Sequence, residues 1–285
     1  MPCDLHTHSH FSDGTYSPKE LIDEARARGL SAIALTDHNT ASGLSEFIGY
    51  AREVGQVAVA GAELSCELDT GSRIAELHML ALFLPEESYC AVNERNEDMM
   101  RRKRDAYLEL QRALAEDGIF FDYEALAKKC RGLPNRANIA EELVSLGYVK
   151  TIKETFGELL KSHGKYYTPP HYPDVFSTID FIIGLGALPV LAHPFLNLSE
   201  EELTAFLPLA KARGLVGMET EYSKYDEATT RLSRSLAERF GLAMSGGSDF
   251  HGSRKPDISL GVGRGELSVP DGLYRELLSI KEKRR

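Results

Sequence analysis

Two histidines two residues apart, His6 and His8, follow a short apolar run early in the chain. On an extended segment, residues at i and i+2 face the same way, so such a pair can chelate one ion. Asp249-Phe250-His251 repeats the alternate spacing near the other end. Between them stand Asp13 in Ser12-Asp13-Gly14, Asp37-His38, Glu63, His78 and His193. This mix of imidazoles and carboxylates suits Zn2+, Mn2+ or Fe2+. Taken singly, each residue could be a satisfied core histidine, a turn former or a helix cap. Taken together they resist that explanation, because such groups are costly at buried strand ends unless paired or metal-bound. A multinuclear metal site is therefore the expectation. His10, His163 and His171 fall outside the pattern and are expected at the surface or behind the ligands. Asp37 is expected to support its neighbour His38.

Bringing these side chains together needs strands that end at one face. Short runs rich in Val, Ile, Leu and Ala occur at 3–5, 32–35, 57–61, 78–83, 188–192, 216–219 and 242–245. They alternate with longer amphipathic stretches, which predicts repeated β-α units and a buried parallel sheet. His6 and His8 follow the first strand, Asp37 and His38 the second, Glu63 the third, His193 the fifth, and Asp249 and His251 the seventh. His78 falls at the start of the fourth strand or just before it. In an α/β barrel the carboxyl ends of the strands converge on one face, where sites are built.

The helices carry clear punctuation. Ser17-Pro18-Lys19-Glu20 is a capping box with proline at the first helical position, and Gly29 stops that helix. Ser199 precedes three glutamates and Gly214 ends the segment; Asp226 opens another that closes near Gly241. From about Cys90 to Tyr167 the rhythm breaks and no strand is predicted. Residues 93–117 read as a long charged helix with a basic run at 101–104. Residues 135–147 show helical spacing at Ile139, Leu143 and Leu146, and 151–160 read as a short helix. The expected organisation is a barrel of residues 1–90 and 168–285 with a helical insertion at 91–167.

Composition bounds the rest. The 285 residues carry 33 Lys plus Arg against 43 Asp plus Glu, a formal charge of −10. With 42% hydrophobic and 27% charged residues, collagen-like, disordered and disulfide-scaffold classes are excluded. The acidic balance argues against a face for long duplex nucleic acid but leaves room for a local site that takes a small anion. No apolar run reaches a membrane span, and the start shows no secretory pattern. Cys3, Cys66, Cys90 and Cys130 form no Cys-x-x-Cys pair, so free thiols in a reducing cytoplasm are expected. No Gly-rich nucleotide loop and no Gly-x-Ser-x-Gly elbow appears.

His6-Thr7-His8-Ser9, Ser12-Asp13-Gly14, Thr36-Asp37-His38, Gly61-Ala62-Glu63, His78, Ala192-His193-Pro194 and Gly246-Gly247-Ser248-Asp249-Phe250-His251-Gly252 resemble, in order and spacing, the motifs of the PHP (polymerase and histidinol phosphatase) family. The resemblance spans nearly the whole chain and is greatest to the stand-alone metal-dependent phosphoesterases. It implies a distorted seven-stranded β/α barrel and three divalent cations (Mn2+, Zn2+ or Fe2+). One would take His6, His8, Glu63 and Asp249, a second Asp13, His38 and His251, and a third Glu63, His78 and His193. Asp13, Glu63, His193 and Asp249 would be the groups of the catalytic centre. Clustered cations neutralise a phosphomonoester and lower the pKa of a bridging water, so a metal-activated hydroxide would attack phosphorus in line.

The resemblance also implies a substrate. Asn135-Arg136-Ala137-Asn138 is similar to a segment in which an arginine binds phosphate, and Lys165-Tyr166-Tyr167 to another cationic segment. Arg136, Lys165 and Asn138 are thus candidate substrate contacts. Relatives commonly carry a histidine where Asn138 stands, and often another where Tyr225 stands. The expected reaction is removal of the 3′-phosphate from a nucleoside 3′,5′-bisphosphate. A 5′-to-3′ exonuclease on short RNA, a histidinol phosphate phosphatase and a non-catalytic metal-binding scaffold are the alternatives.

Overall fold

The computed structural model describes residues 2–130 and 134–284. Its strands are β1 (Pro2–Cys3), β2 (Ile33–Leu35), β3 (Ala58–Asp69), β4 (Ile74–Leu82), β5 (Leu188–Leu191), β6 (Gly217–Tyr222), β7 (Ala243–Gly247) and β8 (Val269–Pro270). Its helices are α1 (Pro18–Ala27), α2 (Leu44–Val54), α3 (Tyr89–Glu116), α4 (Tyr123–Cys130), α5 (Arg136–Ser145), α6 (Ile152–Glu158), α7 (Val175–Gly184), α8 (Glu200–Arg213), α9 (Glu227–Phe240) and α10 (Asp271–Lys283). Two compact units result, one of Met1–Arg95 with Tyr172–Arg285, the other of Asn96–His171.

In the first unit, β2 to β7 form one sheet in sequence order, and β1 pairs with β8. The segment just after β1 closes the ring. On one side Asp4 N–H donates to Ala32 O and Thr36 N–H to Thr7 O; on the other Leu5 N–H donates to Gly246 O and Asp249 N–H to His6 O. Seven staves therefore enclose the interior, in the α/β class expected.

The expectation of an all-parallel sheet is corrected. β3 and β4 form a long antiparallel hairpin from Gly61↔Leu82 to Asp69↔Ile74, and β4 is antiparallel to β5 as well. The tight connection through Thr70-Gly71-Ser72-Arg73 leaves no room for the crossover helix that parallel strands require.

Side chains alternate between two apolar clusters. Ala32, Ala34, Val59, Leu80, Leu82, Leu188, Val190 and Ala243 belong to an inner cluster with Leu277 of α10. Ile33, Leu35, Met79, Ala81, Leu191 and Met218 belong to the outer layer beneath the helices. Period-two alternation thus fills the barrel floor and leaves the opposite end for polar groups.

The helix signals are found where the sequence put them. Ser17 and Ser199 form reciprocal capping boxes with Glu20 and Glu202, and Asp226 caps α9. Left-handed Gly214 and Gly241 end α8 and α9.

The second unit has its own core, built from Leu110, Leu114, Tyr123, Ile139, Leu143 and Leu160 among others. Leu146 was expected on this apolar face but is 50% exposed, because α5 stops at Ser145 and Leu146 is its C-cap. The short α4 was not anticipated; Tyr123 anchors it, with its N–H donating to Gln111 Oε1. Among the described residues no helix is long and apolar enough to cross a membrane. All four cysteines are free, Cys3 and Cys66 buried and Cys90 and Cys130 exposed.

Candidate metal centre

Glu63 lies inside β3 rather than after it, because the strand runs on into the hairpin. It shares the parity of Val59, so it points into the barrel. His78 lies within β4 and shares the parity of inward-facing Leu80 and Leu82. Since β4 runs antiparallel, its first half reaches the end of the barrel where the other strands finish. That explains how His78, expected at a strand start and found mid-strand, joins residues that follow strands.

Five histidines meet the Glu63 carboxylate. His6 Nε2, His8 Nε2 and His38 Nδ1 lie 3.1, 3.2 and 3.0 Å from Oε2. His78 Nδ1 and His193 Nε2 lie 2.7 and 2.9 Å from Oε1. Asp249 Oδ1 is 3.3 Å from His8 Nε2 and 3.4 Å from His251 Nδ1. Asp13 Oδ1 is 3.2 Å from His251 Nε2 and 3.8 Å from His38 Nε2. All nine sequence-selected residues are thus brought together. They fall into overlapping groups, among them His8 with Asp13, His38 and His251, His6 with His8 and Glu63, and His38 with Glu63 and His78.

The local backbone is shaped for this. His193 and Asp249 adopt positive φ, 27° and 56°. Such conformations are uncommon outside glycine and cluster at functional sites. Gly247 allows the chain to pass close to His6, since a Cβ there would lie 2.4 Å from His6 Cβ.

The electrostatics follow from packing three carboxylates among six imidazoles. Burial would raise the Glu63 carboxyl, but His38, His6 and His78 outweigh it and hold it well below the ordinary range. Asp249 is likewise held down, against its burial, by His8 and His6. Burial opposes protonation of His78, yet Glu63 overrides it and pushes that imidazole up to about 10. His38 goes the other way, down to about 3, because burial outweighs Glu63.

Three residues at the centre were missed. Glu219 in β6 places Oε1 2.9 Å from His6 Nδ1, and its Oε2 accepts from His193 N–H at 2.7 Å. Tyr222 Oη and Lys255 Nζ both donate to Asp249 Oδ2, each at 2.8 Å. A carboxylate inside a buried strand was the signal available for Glu219. Asp37 is a correction: its carboxylate accepts from Ser9 N–H, Ser9 Oγ and Ser12 Oγ, so it shapes the loop bearing Asp13. His10 is exposed and stacks on Phe11; His163 and His171 lie near each other in the second unit. Tyr225 Oη accepts from Phe195 N–H.

The candidate substrate contacts belong to the second unit. Arg136 donates to Ser162 Oγ and lies over the rings of Phe156 and Tyr167. Lys165 pairs with Asp117. Asn138 exchanges capping hydrogen bonds with Asn135 at the start of α5.

The donor set suits divalent cations on its own evidence. His8 Nδ1 is buried without a hydrogen-bond partner, and Glu63 Oε2, crowded by three ring nitrogens, is in hydrogen-bonding geometry with none of them, which is unusual for protein polar atoms. Ring nitrogens and carboxylate oxygens all within 4.8 Å of one another can share a cation, and a cation would relieve their mutual crowding.

Residues 4–107 match the PHP domain. A 5′-3′ exoribonuclease from Haemophilus influenzae is 29% identical over 261 residues, 87% of this chain and 89% of that protein. A 3′,5′-nucleoside bisphosphate phosphatase from Chromobacterium violaceum is 28% identical over 280 residues, 96% of this chain and 95% of that one. A solved structure from Bifidobacterium adolescentis, assigned as a metal-dependent phosphoesterase, has a TM-score of 0.70 at 28% identity, covering 98% and 97%. Fold, cluster and relatives together define a metal-dependent phosphoesterase. Residues 4–107 carry the likeness to the PHP domain, and the likeness to these phosphoesterases runs over nearly the whole chain.

Proposed function

We propose that the protein removes the 3′-phosphate of a nucleoside 3′,5′-bisphosphate, with three divalent cations held by the cluster. The carrying observation is Glu63, one buried carboxylate with ring nitrogens of five histidines within 3.2 Å. In this reading His6, His8, Glu63 and Asp249 hold one cation, Asp13, His38 and His251 a second, and Glu63, His78 and His193 a third. The cations, Mn2+, Zn2+ or Fe2+, supply positive charge that neutralises the phosphate and acidifies water.

The chain's own residues fix the geometry. Left-handed backbone turns aim His193 and Asp249 inward. Tyr222 and Lys255 occupy Asp249 Oδ2, leaving Oδ1 to the imidazoles. Asp13, with its side chain 42% exposed, is the carboxylate of the cluster that meets solvent and an arriving substrate. Arg136 offers a planar fork for bidentate phosphate binding, Lys165 a point charge and Asn138 an amide. The working compartment in this reading is the cytoplasm, where exposed Cys90 and Cys130 stay reduced.

A second reading, 5′-to-3′ hydrolysis of short RNA, is favoured by the likeness to the Haemophilus exoribonuclease. The test is phosphate release from adenosine 3′,5′-bisphosphate with Mn2+, with and without chelator, identifying the nucleoside product. Chelator-sensitive conversion to AMP is expected. Metal-loaded protein that spares this substrate but shortens 5′-phosphorylated RNA would replace the first reading by the second. Turnover of histidinol phosphate alone would replace both.

A further inference from the structure

Glu219 lies mid-strand in β6, fully buried between β5 and β7. A carboxyl group in such a place is costly unless every oxygen is engaged. Both of its oxygens are engaged, and by two different residues of the metal centre. Oε1 meets the His6 ring at Nδ1, and Oε2 accepts the backbone N–H of His193.

Each contact settles something the centre needs. A hydrogen bond from Nδ1–H to Glu219 keeps that proton on Nδ1 and aims Nε2 toward Glu63 and His8, 3.1 Å from each. His193 has φ 27° and ψ 54°, a left-handed conformation reached just before Pro194. A residue preceding proline is steered toward extended backbone, so this turn is strained twice over. The bond from its N–H to Glu219 holds the turn, and the turn sets His193 Nε2 2.9 Å from Glu63 Oε1. One carboxylate thereby aims ligands onto both oxygens of Glu63.

The strand itself is adjusted at this point. β6 pairs Glu219 with Ser245 and Glu221 with Gly246, so an extra residue, Thr220, is accommodated immediately after Glu219. Bulges beside active sites re-aim side chains. Here Met218 belongs to the outer apolar layer, which puts Glu219 inward.

We propose that Glu219 is a positioning residue of the metal centre, holding the His6 ring and the His193 turn without itself binding a cation. The proposal rests on the metal-dependent reading above. A competing role exists, because Glu219 with His6 and His193 also forms a group close enough to hold an ion.

The test is a Mn2+ titration of the metal-free full-length protein by calorimetry, comparing wild type, Glu219→Gln and Glu219→Asp. Circular dichroism monitors folding, and 15N NMR of the Zn2+-loaded protein reports the Nδ1–H of His6. Positioning predicts that both variants bind the wild-type number of ions, with affinity weakened about 10- to 100-fold. It also predicts that the downfield Nδ1–H resonance of His6 moves upfield in Glu219→Gln, where a neutral amide replaces the carboxylate acceptor, and that excess Mn2+ restores much of kcat. The aspartate variant is too short to span both partners and should behave alike even if the glutamine variant fails to fold. Unchanged affinity in folded variants would overturn the proposal. So would saturation one ion short, which would make Glu219 a ligand. Wild-type protein that binds no Mn2+ would overturn the underlying reading instead, and is seen before any variant is made.

Discussion

Both units of this chain carry exposed ion pairs, but among the described residues only the barrel unit buries carboxylates. In the barrel unit, Glu63, Glu219 and Asp249 are buried, and each is engaged by histidines, backbone or a neighbouring lysine and tyrosine. In the unit of residues 96–171, charged groups form exposed pairs such as Arg104 with Glu124 and Lys129 with Glu142. Exposed pairs contribute only about 0–1 kcal/mol. Buried groups are different, because removing one partner strands the others without water. The contrast implies that the barrel's chemistry is built into its fold, whereas the second unit's polar residues can be exchanged at little structural cost.

The most severe way to break that contrast is to strike the cluster. His8→Ala and Asp249→Ala should each bring metal-dependent phosphate release to background, while circular dichroism still reports a folded chain. Substantial turnover by either variant would mean that the cluster is not the reacting centre.

A pH series sharpens the same point without mutation. His78 is pushed up to about 10 and His6 well above its usual value by their carboxylate neighbours, against the effect of burial. The metal-free cluster therefore keeps these protons at neutral pH, and a cation must displace them. Mn2+ affinity should rise with pH by up to about tenfold per unit for each proton released. Metal-free stability has the opposite sign. A raised imidazole pKa contributes stability that is complete below the unfolded value of about 6.5 and is lost as pH rises through about 10. Proton release on Mn2+ addition, and melting between pH 6 and 10 with and without metal, would check both. Binding without proton release would show that the imidazoles are already neutral.

Much of this centre was legible because histidine and aspartate are conspicuous beside apolar runs. His6, His8, Asp249 and His251 could be paired from alternate spacing alone, and all nine selected residues lie together. Strand direction was less legible. A run such as 78–83 reads the same whether parallel or antiparallel, so β4's reversal and the inward placement of His78 needed the hairpin partner. Glu219, Tyr222 and Lys255 were missed because each is defined by what it touches. Glu219 contacts residues 213 and 26 positions away, which no local pattern encodes. Asp37 was misassigned for a related reason: adjacency to His38 in sequence is not adjacency of side chains, and its carboxylate turned to the 9–12 loop instead.

In the second unit the larger effect is expected at Arg136. Charge-assisted bonds to phosphate contribute about 1.5–3 kcal/mol, which corresponds to roughly 10- to 100-fold. Arg136→Ala should raise KM by about that factor and leave metal binding unchanged. Arg136→Lys should recover only part of it, since an ammonium cannot offer two parallel donors. A KM unmoved by either change would restrict Arg136 to its contacts with Ser162, Phe156 and Tyr167.

The smallest expected effect separates capping from catalysis at Asn138. Its Oδ1 accepts from Asn135 N–H, and its own N–H donates to Asn135 Oδ1, a reciprocal cap on α5. Asn138→Ala removes one of these two bonds, and Asn135→Ala removes the other. Loss of a cap destabilises by about 1 kcal/mol, so both variants should lower the melting midpoint by a similar few degrees. If Asn138 also touches substrate, only its variant should raise KM. Matching stability losses with unchanged kinetics in both would show that Asn138 only caps α5. A kinetic effect confined to Asn138→Ala would give Asn138 a substrate contact in addition to its cap on α5.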